Sequence, residues 1–264
     1  MTPSPHIYLS LFSGVGGGDL AFQHLIKPKW RCVGYVEYEK YCQDVIRQRI
    51  EDGLLDCAPI FGDIREFNRE YAKEYRGMVD LVTGGFPCQD ISCAGKGAGI
   101  EGERSGLWGE MAEVVRQVRP KHVFVENSPM LTIRGLGTVL KDLAEMGFNA
   151  RWGCISSAET GNIHTRERIW IVASDPDSID ASRIRKPKGK NMVSSFWKTK
   201  KTIKEHERWL PELVPIHITQ KISSYSRALR ILYEIPDWMD RTKACGNGQD
   251  SIVAATAWEI LKPF

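Results

Sequence analysis

Over the first two-thirds of the chain, short apolar runs alternate with longer stretches of helical period. "IYLSLF" (7–12) leads through a glycine turn into "DLAFQHLI", and "RCVGYVE" (31–37) leads into "YEKYCQDVIRQRI". "MVDLVT" (78–83) is followed by a glycine-rich loop and then "LWGEMAEVVRQV". "HVFVE" (122–126) precedes "LGTVLKDLAEM", and "ARWGCISSAE" and "RIWIVAS" close the series. The short runs have the β-branched and apolar make-up of buried strands. Their alternation with helices predicts an α/β fold: a mostly parallel, doubly wound sheet with helices on both faces. Ligands and chemistry gather at the carboxyl ends of such strands, so the residues just after each run are the ones to inspect.

The pattern stops after Ser174. Between Arg183 and Arg208 stand Arg183, Arg185, Lys186, Lys188, Lys190, Lys198, Lys200, Lys201, Lys204 and Arg208, against only Glu205 and Glu207. Phe196, Trp197 and Trp209 interleave with them. Two readings stay open: a solvated surface insertion, or a face that neutralises phosphates and stacks on bases. From Pro236 the pattern is globular again and ends in the apolar helix "DSIVAATAWEILKPF". The organisation expected is a first domain over 1–174, a small basic region over 175–235, and a segment over 236–264 that returns to the first domain.

Composition narrows the class without deciding it. The net charge of +3 is too weak to demand a nucleic-acid partner by itself. The seven cysteines are scattered and form no C-x-x-C pair, so neither a disulfide framework nor a metal site is indicated. "MTPSPHIYLSLF" carries no leader pattern, and no apolar run approaches the ~20 residues of a spanning helix. A reduced, cytoplasmic setting without a membrane is expected, where a free thiol can act as a nucleophile.

Candidate chemistry lies at the strand ends. "LFSGVGGGDLAF" sets Gly14, Gly16, Gly17 and Gly18 between a strand and a helix, where a ligand can approach the backbone. It does not fit the G-x-G-x-x-G nicotinamide fingerprint. Glu37 ends the second run about twenty residues later and can receive ribose hydroxyls. Asp63 in "FGDIREF" can receive an adenine amino group. Together the three predict an adenosine pocket, although each has a bland reading as a packing turn, a surface carboxylate or a helix cap. In "GGFPCQDIS", Gly84 and Gly85 are expected to end a strand and place Cys88 on a loop at the sheet edge, poised to react as a thiolate. Glu126 ends "HVFVE" on the same edge, where partial burial lets a carboxyl keep a proton near neutral pH. "HTRERIWIV" starts a strand with Arg166 and Arg168 two apart, hence on one face, which suits a phosphate or a base carbonyl.

In this order the segments resemble the DNA cytosine carbon-5 methyltransferases, across the first ~175 residues and the last ~30. "LFSGVGGG" is similar to the family's cofactor loop, "GGFPCQDIS" to its nucleophile loop, and "ERSGLW" to the segment after that loop. "VENS", "HTRER" and "ACGNGQ" are similar to its Glu-Asn-Val, Gln-x-Arg-x-Arg and late Gly-Asn motifs. The chain departs from the pattern at Ser10, where the family usually has Asp, at Ser128 for Val, and at His164 for Gln. The final motif reads Gly-Asn-Gly-Gln-Asp-Ser, so a different packing of the last helix is expected.

The resemblance implies a Rossmann-like fold with a short target-recognition region, the cofactor S-adenosyl-L-methionine, and duplex DNA as partner. It implies addition of Cys88 to carbon 6 of a flipped-out cytosine while Glu126 protonates ring nitrogen 3, so that carbon 5 accepts the methyl group. Arg168 is then expected at the cytosine carbonyl and Arg166 at a phosphate. Phe12, Ser13, Gly14, Gly16, Gly17, Glu37, Tyr38, Asp63, Ile64, Pro87, Leu107 and Asn247 are expected around the cofactor. Gln89, Ser92, Arg104, Lys198, Lys200, Lys201 and Lys204 are expected on DNA. A monomer, with or without a cognate restriction nuclease, completes the expectation. Two rivals remain open: methylation of tRNA cytosine by a branch of the same family, and a catalytically silent DNA-binding regulator.

Overall fold

The computed structural model describes residues 6–87, 106–160, 166–178 and 248–263. All of them belong to one compact unit, Met1–Lys188 with Gly248–Phe264; Gly189–Asn247 form a second unit outside the described residues.

Seven strands form one sheet: β1 (His6–Leu11), β2 (Trp30–Val36), β3 (Ile60–Phe61), β4 (Leu81–Gly84), β5 (His122–Asn127), β6 (Asn149–Ser156) and β7 (Glu167–Ser174). Their order is β3-β2-β1-β4-β5-β7-β6. The first five are parallel, whereas β7 runs antiparallel to both β5 and β6. The sheet is therefore mostly parallel and Rossmann-like, as expected. It reverses at one edge, which the apolar runs alone do not reveal.

Alternation along each strand divides the core in two. Leu9, Leu11, Val82, Val123, Val125, Ile169 and Ile171 enter one face. There they meet α3 (Ile64–Glu70), α4 (Gly106–Val118) and α6 (Leu136–Glu145), which follows a short α5 (Leu131–Arg134). Tyr8, Cys32, Tyr35, Leu81, Phe124, Trp170 and Val172 enter the other face, against α1 (Gly17–Leu20), α2 (Lys40–Glu51) and α7 (Ser251–Leu261). Complete burial of one such large apolar side chain contributes about 1.5–3 kcal/mol. Trp258 of α7 packs edge-on against Phe22, Trp30 and Phe124, with ring centroids 5.4, 5.5 and 5.7 Å away. The end of the chain is thus part of the second core.

Two local expectations are corrected. The run "MVDLVT" forms strand only from Leu81, although Asp80 already bonds both neighbours through its backbone, its N–H donating to the Ile7 carbonyl at 2.8 Å and its carbonyl accepting the His122 N–H at 2.9 Å. The Asp80 carboxylate accepts the Ile7 N–H at 3.0 Å and an ion pair from Lys121 at 2.6 Å. Gly84 ends the strand as expected, still paired with Leu11 and Val125, and a Cβ there would lie 2.9 Å from the Leu11 carbonyl oxygen. The helix expected over "DLAFQHLI" widens after α1 into a π turn, Ala21–Leu25, closed by the Ile26 N–H on the Ala21 carbonyl. The wider turn brings Phe22 and Gln23 inward together. Gln23 then donates to the hydroxyls of Tyr8 (2.8 Å) and Tyr35 (3.2 Å).

Candidate active site

The glycine turn after β1 is a tight left-handed bend. Phe12 (φ 49), Gly14 (φ 55) and Gly16 (φ 81) all have positive φ, which costs a residue with a Cβ roughly 1–2 kcal/mol. Such strain persists only where neighbours hold it. Here the Ser13 N–H donates to the Val36 carbonyl at 3.2 Å, and the Ser13 hydroxyl to Ser10 Oγ at 2.9 Å. The Gly14 N–H donates to Glu37 Oε2 at 2.7 Å, and Glu37 Oε1 accepts the Glu39 N–H at 2.8 Å. A buried carboxylate at the end of β2 therefore clasps the turn at the end of β1.

Around this turn the expected cofactor residues fall at the carboxyl ends of β1 to β3. Space beside Gly14 is open, since a Cβ there would meet nothing within 4 Å. Phe12 is half-buried against the first core, and Tyr38 is 74% exposed. Asp63 caps α3, its Oδ1 accepting the Arg65 N–H at 2.8 Å. Ile64 turns its side chain into the core, leaving only its backbone for a ligand. Leu107 is half-buried on the first turn of α4, and Pro87 is exposed at the end of β4's extension. Gly17 packs against the far end of the chain. Its Cα is covered by protein, because a Cβ there would lie 2.1 Å from the Gln249 carbonyl oxygen.

The second cluster lies at the end of β5. Register pairs Glu126 with Trp170, so Arg168, two residues from Trp170, lies on the same face as Glu126, and Arg166 follows it. Because β7 is antiparallel, its first residues lie at the carboxyl edge of the parallel strands. The strand reversal thus brings the arginines to Glu126. Arg168 Nε lies 2.8 Å from Glu126 Oε1. Arg166, Ser157 and Gln249 line the same pocket. Burial pushes the Glu126 carboxyl above its usual range, outweighing the opposing pull of Arg168, Arg166 and a hydrogen bond from Gln249. Asn127 points the other way and donates to the Phe86 carbonyl at 3.1 Å, tying β5 to the backbone two residues before Cys88.

Cys88, Gln89, Ser92, Arg104, His164, Asn247 and the lysines 198, 200, 201 and 204 lie outside the described residues. Two residues of the site are not foreseen by the sequence pattern. Gln249 reaches Glu126, although its motif points only to the asparagine. Asp19, buried under the glycine turn, accepts hydrogen bonds from Tyr8 (3.0 Å) and Ser10 (3.2 Å). A signal for the start of α7 is present: Asp250 before an apolar run is an N-cap, and it accepts the Ile252 N–H at 3.0 Å.

Comparison with known proteins agrees with this arrangement. Residues 7–253 match the family model described as C-5 cytosine-specific DNA methylase. The chain is 29% identical over 170 residues to the type II methyltransferase M.CviJI of Paramecium bursaria Chlorella virus IL3A, covering 64% of this chain and 43% of that relative. It is 31% identical to M.NgoBI of Neisseria gonorrhoeae, covering 62% and 49%. It is 30% identical to the orphan methyltransferase M.Rho11sI of Bacillus phage rho11s, covering 75% and 38%. The chain thus spans less than half the length of these relatives. Among solved structures, a DNMT2 mutant of Spodoptera frugiperda superposes with a TM-score of 0.60 at 13% identity, over 97% of this chain and 99% of that one. The S. pombe Dnmt2 methyltransferase gives 0.56 at 18%, over 75% and 56%. At that identity these two likenesses show the fold alone. By its sequence match and its architecture, the chain belongs to the C-5 cytosine-specific DNA methylase family.

Proposed function

We propose that the protein methylates carbon 5 of cytosine in duplex DNA, with S-adenosyl-L-methionine as donor. The observation that carries this is the buried Glu126 carboxyl, raised in pKa and gripped by Arg168 at 2.8 Å, beside the strand that leads into Cys88. A carboxyl in that state can give a proton to ring nitrogen 3 as the Cys88 thiolate adds to carbon 6. That addition makes carbon 5 electron-rich; loss of its proton and expulsion of the thiolate later restore the ring. Arg168 and Arg166 hold the cytosine carbonyl and a neighbouring phosphate, and they stabilise Glu126 once it has lost its proton.

The turn of Phe12 to Gly16 fits an adenosine. The backbone opens beside Gly14, and Glu37 and Asp63 present carboxylates from the next two strand ends. Phe12 would cover the adenine, Asp63 its amino group and Glu37 the ribose. When bound, S-adenosyl-L-methionine supplies an electrophilic methyl group. Ser13, Leu107 and Asn247 belong to the same proposal, as do the division at residues 174 and 235 and a monomeric enzyme. Among the described residues, no helix is long and apolar enough to cross a membrane.

Duplex DNA, 5-fluorocytosine duplex and tRNA, each offered with labelled donor, test the reading. Methylation of duplex cytosine and a trapped covalent adduct on the fluorinated duplex are expected. Methylation of tRNA alone would transfer the reading to RNA. Neither product nor adduct from a folded chain would leave a silent DNA-binding protein.

A further inference from the structure

Gln249 sits between the two halves of the site. A Cβ built on Gly85 would lie 2.7 Å from Glu126 Oε2 and 2.9 Å from Gln249 Nε2, so the amide nitrogen and the carboxyl oxygen meet over one backbone point. On its other side, a Cβ on Gly18 would lie 2.0 Å from Gln249 Oε1, and one on Gly17 would lie 2.1 Å from the Gln249 backbone oxygen. The backbone that follows Gln249 is fixed. Ser251 Oγ donates to the Gly17 carbonyl at 2.7 Å, and Asp250 caps α7 while accepting the Ser157 hydroxyl at 3.1 Å. The absence of a Cβ at Gly17 is thus required by a residue more than two hundred positions away.

We infer that Gln249 is a positioning residue, holding the Glu126 carboxyl at Oε2 while Arg168 holds Oε1, and braced against the Gly17–Gly18 turn. With both oxygens engaged, the acid keeps one orientation. The chemistry of the amide matters as much as its place. Arg168 approaches Glu126 from β7, Arg166 from the residue just before that strand, and Asp250 from the α7 cap. A third cation would bias the carboxyl further towards its ionised form. A neutral donor orients it while burial still keeps its proton available. The inference rests on the reading of Glu126 as an acid for its use in turnover, but not for the hydrogen bond itself.

The test titrates Glu126 directly, in the full chain with labelled glutamate carboxyls and without donor or DNA; the Glu126→Gln variant identifies the resonance. Gln249→Met keeps the length and loses the amide. It should raise the Glu126 titration by about one unit and slow single-turnover methylation about tenfold. Affinity for S-adenosylhomocysteine should stay within about threefold of the parent, because the amide lies outside that pocket. An unchanged titration in folded Gln249→Met overturns the inference. Should that variant not fold, near-isosteric Gln249→Glu must raise the titration by like-charge repulsion, and an unmoved titration there overturns it equally. A shifted titration in a chain whose parent does not methylate DNA upholds the positioning role and removes the proposed function instead.

Discussion

The hydroxyl of Ser10 donates a hydrogen bond to the buried carboxylate of Asp19, 3.2 Å away. Ser10 stands where the resemblance leads one to expect an aspartate. The carboxylate has not disappeared from beneath the glycine turn; it comes from the helix side instead of the strand. Ser13 joins it through Ser10 at 2.9 Å, and Tyr8 donates to Asp19 at 3.0 Å. The departure at Ser10 therefore leaves a carboxylate under the turn that holds Gly14 and Gly16.

Asp19 predicts a pH dependence of stability. Burial raises its pKa from 3.8 to about 6, against the hydrogen bonds from Ser10 and Tyr8 and the charge of Arg49. The folded state binds this proton more tightly than the unfolded chain. The contribution is therefore fully present below the unfolded pKa and is lost as pH rises through about 6. A shift of that size corresponds to ~3 kcal/mol at most. Urea unfolding at several pH values should show Asp19→Asn losing this slope, with its largest gain over the parent above pH ~7. Parallel pH profiles for parent and variant would refute the assignment.

Glu126 and Arg168 separate by their pH profiles. Glu126→Gln keeps the shape and removes the acid, so methyl transfer should fall by ~10²–10⁴-fold, the range for a general acid. Arg168→Met removes a charge that lowers the Glu126 pKa. The rate should drop, and its decline on the alkaline side should move to higher pH, because the acid holds its proton longer. A near-normal rate for Glu126→Gln would place the acid elsewhere.

The sheet and both its faces were legible because most strand residues alternate: Leu9 and Leu11 to one side, Tyr8 to the other. The glycine turn, Glu37, Glu126 and the two arginines were legible as strand-end residues, since the fold gathers strand ends. What was hidden depended on distance in the chain. The reversal of β7 rests on pairings such as Glu126 with Trp170, which no local pattern encodes. Gln249 meets Gly17, Gly18 and Glu126 only after α7 has packed under Trp30 and Phe124. The π turn was hidden because polar Gln23 is drawn inward by Tyr8 and Tyr35, against the apolar period.

The basic stretch predicts a salt dependence of DNA binding. If Lys198, Lys200, Lys201 and Lys204 neutralise phosphates, replacing all four by alanine weakens duplex binding for every sequence. It also flattens the dependence of log affinity on log salt by roughly 0.9 for each phosphate no longer neutralised. Affinity for the methyl donor should not change, because the glycine turn and Glu37 belong to the sheet. An unchanged salt slope would make this stretch a solvated face and leave recognition to Trp197, Trp209 or the segment from Pro211 to Arg230.

Gly17→Ala and Gly18→Ala should part company, although the two glycines are neighbours in one helical turn. At Gly17 the new methyl meets backbone: 2.1 Å from the Gln249 carbonyl oxygen and 3.1 Å from its carbon. Backbone held by the Asp250 cap and by the Ser251–Gly17 hydrogen bond cannot step aside, so α7 must shift as a body. Gly17→Ala should therefore lose stability by an amount typical of overpacking, about 1–3 kcal/mol, read from the urea midpoint. At Gly18 the methyl meets the end of a flexible side chain, 2.0 Å from Gln249 Oε1. That amide can swing away at little cost to the fold, but its nitrogen then leaves Glu126. Gly18→Ala should unfold near the parent's midpoint and yet show the raised Glu126 titration and slower methyl transfer expected of Gln249→Met. If Gly18→Ala is the less stable of the two, or leaves the Glu126 titration where it was, the side chain of Gln249 does not link the glycine turn to the acid.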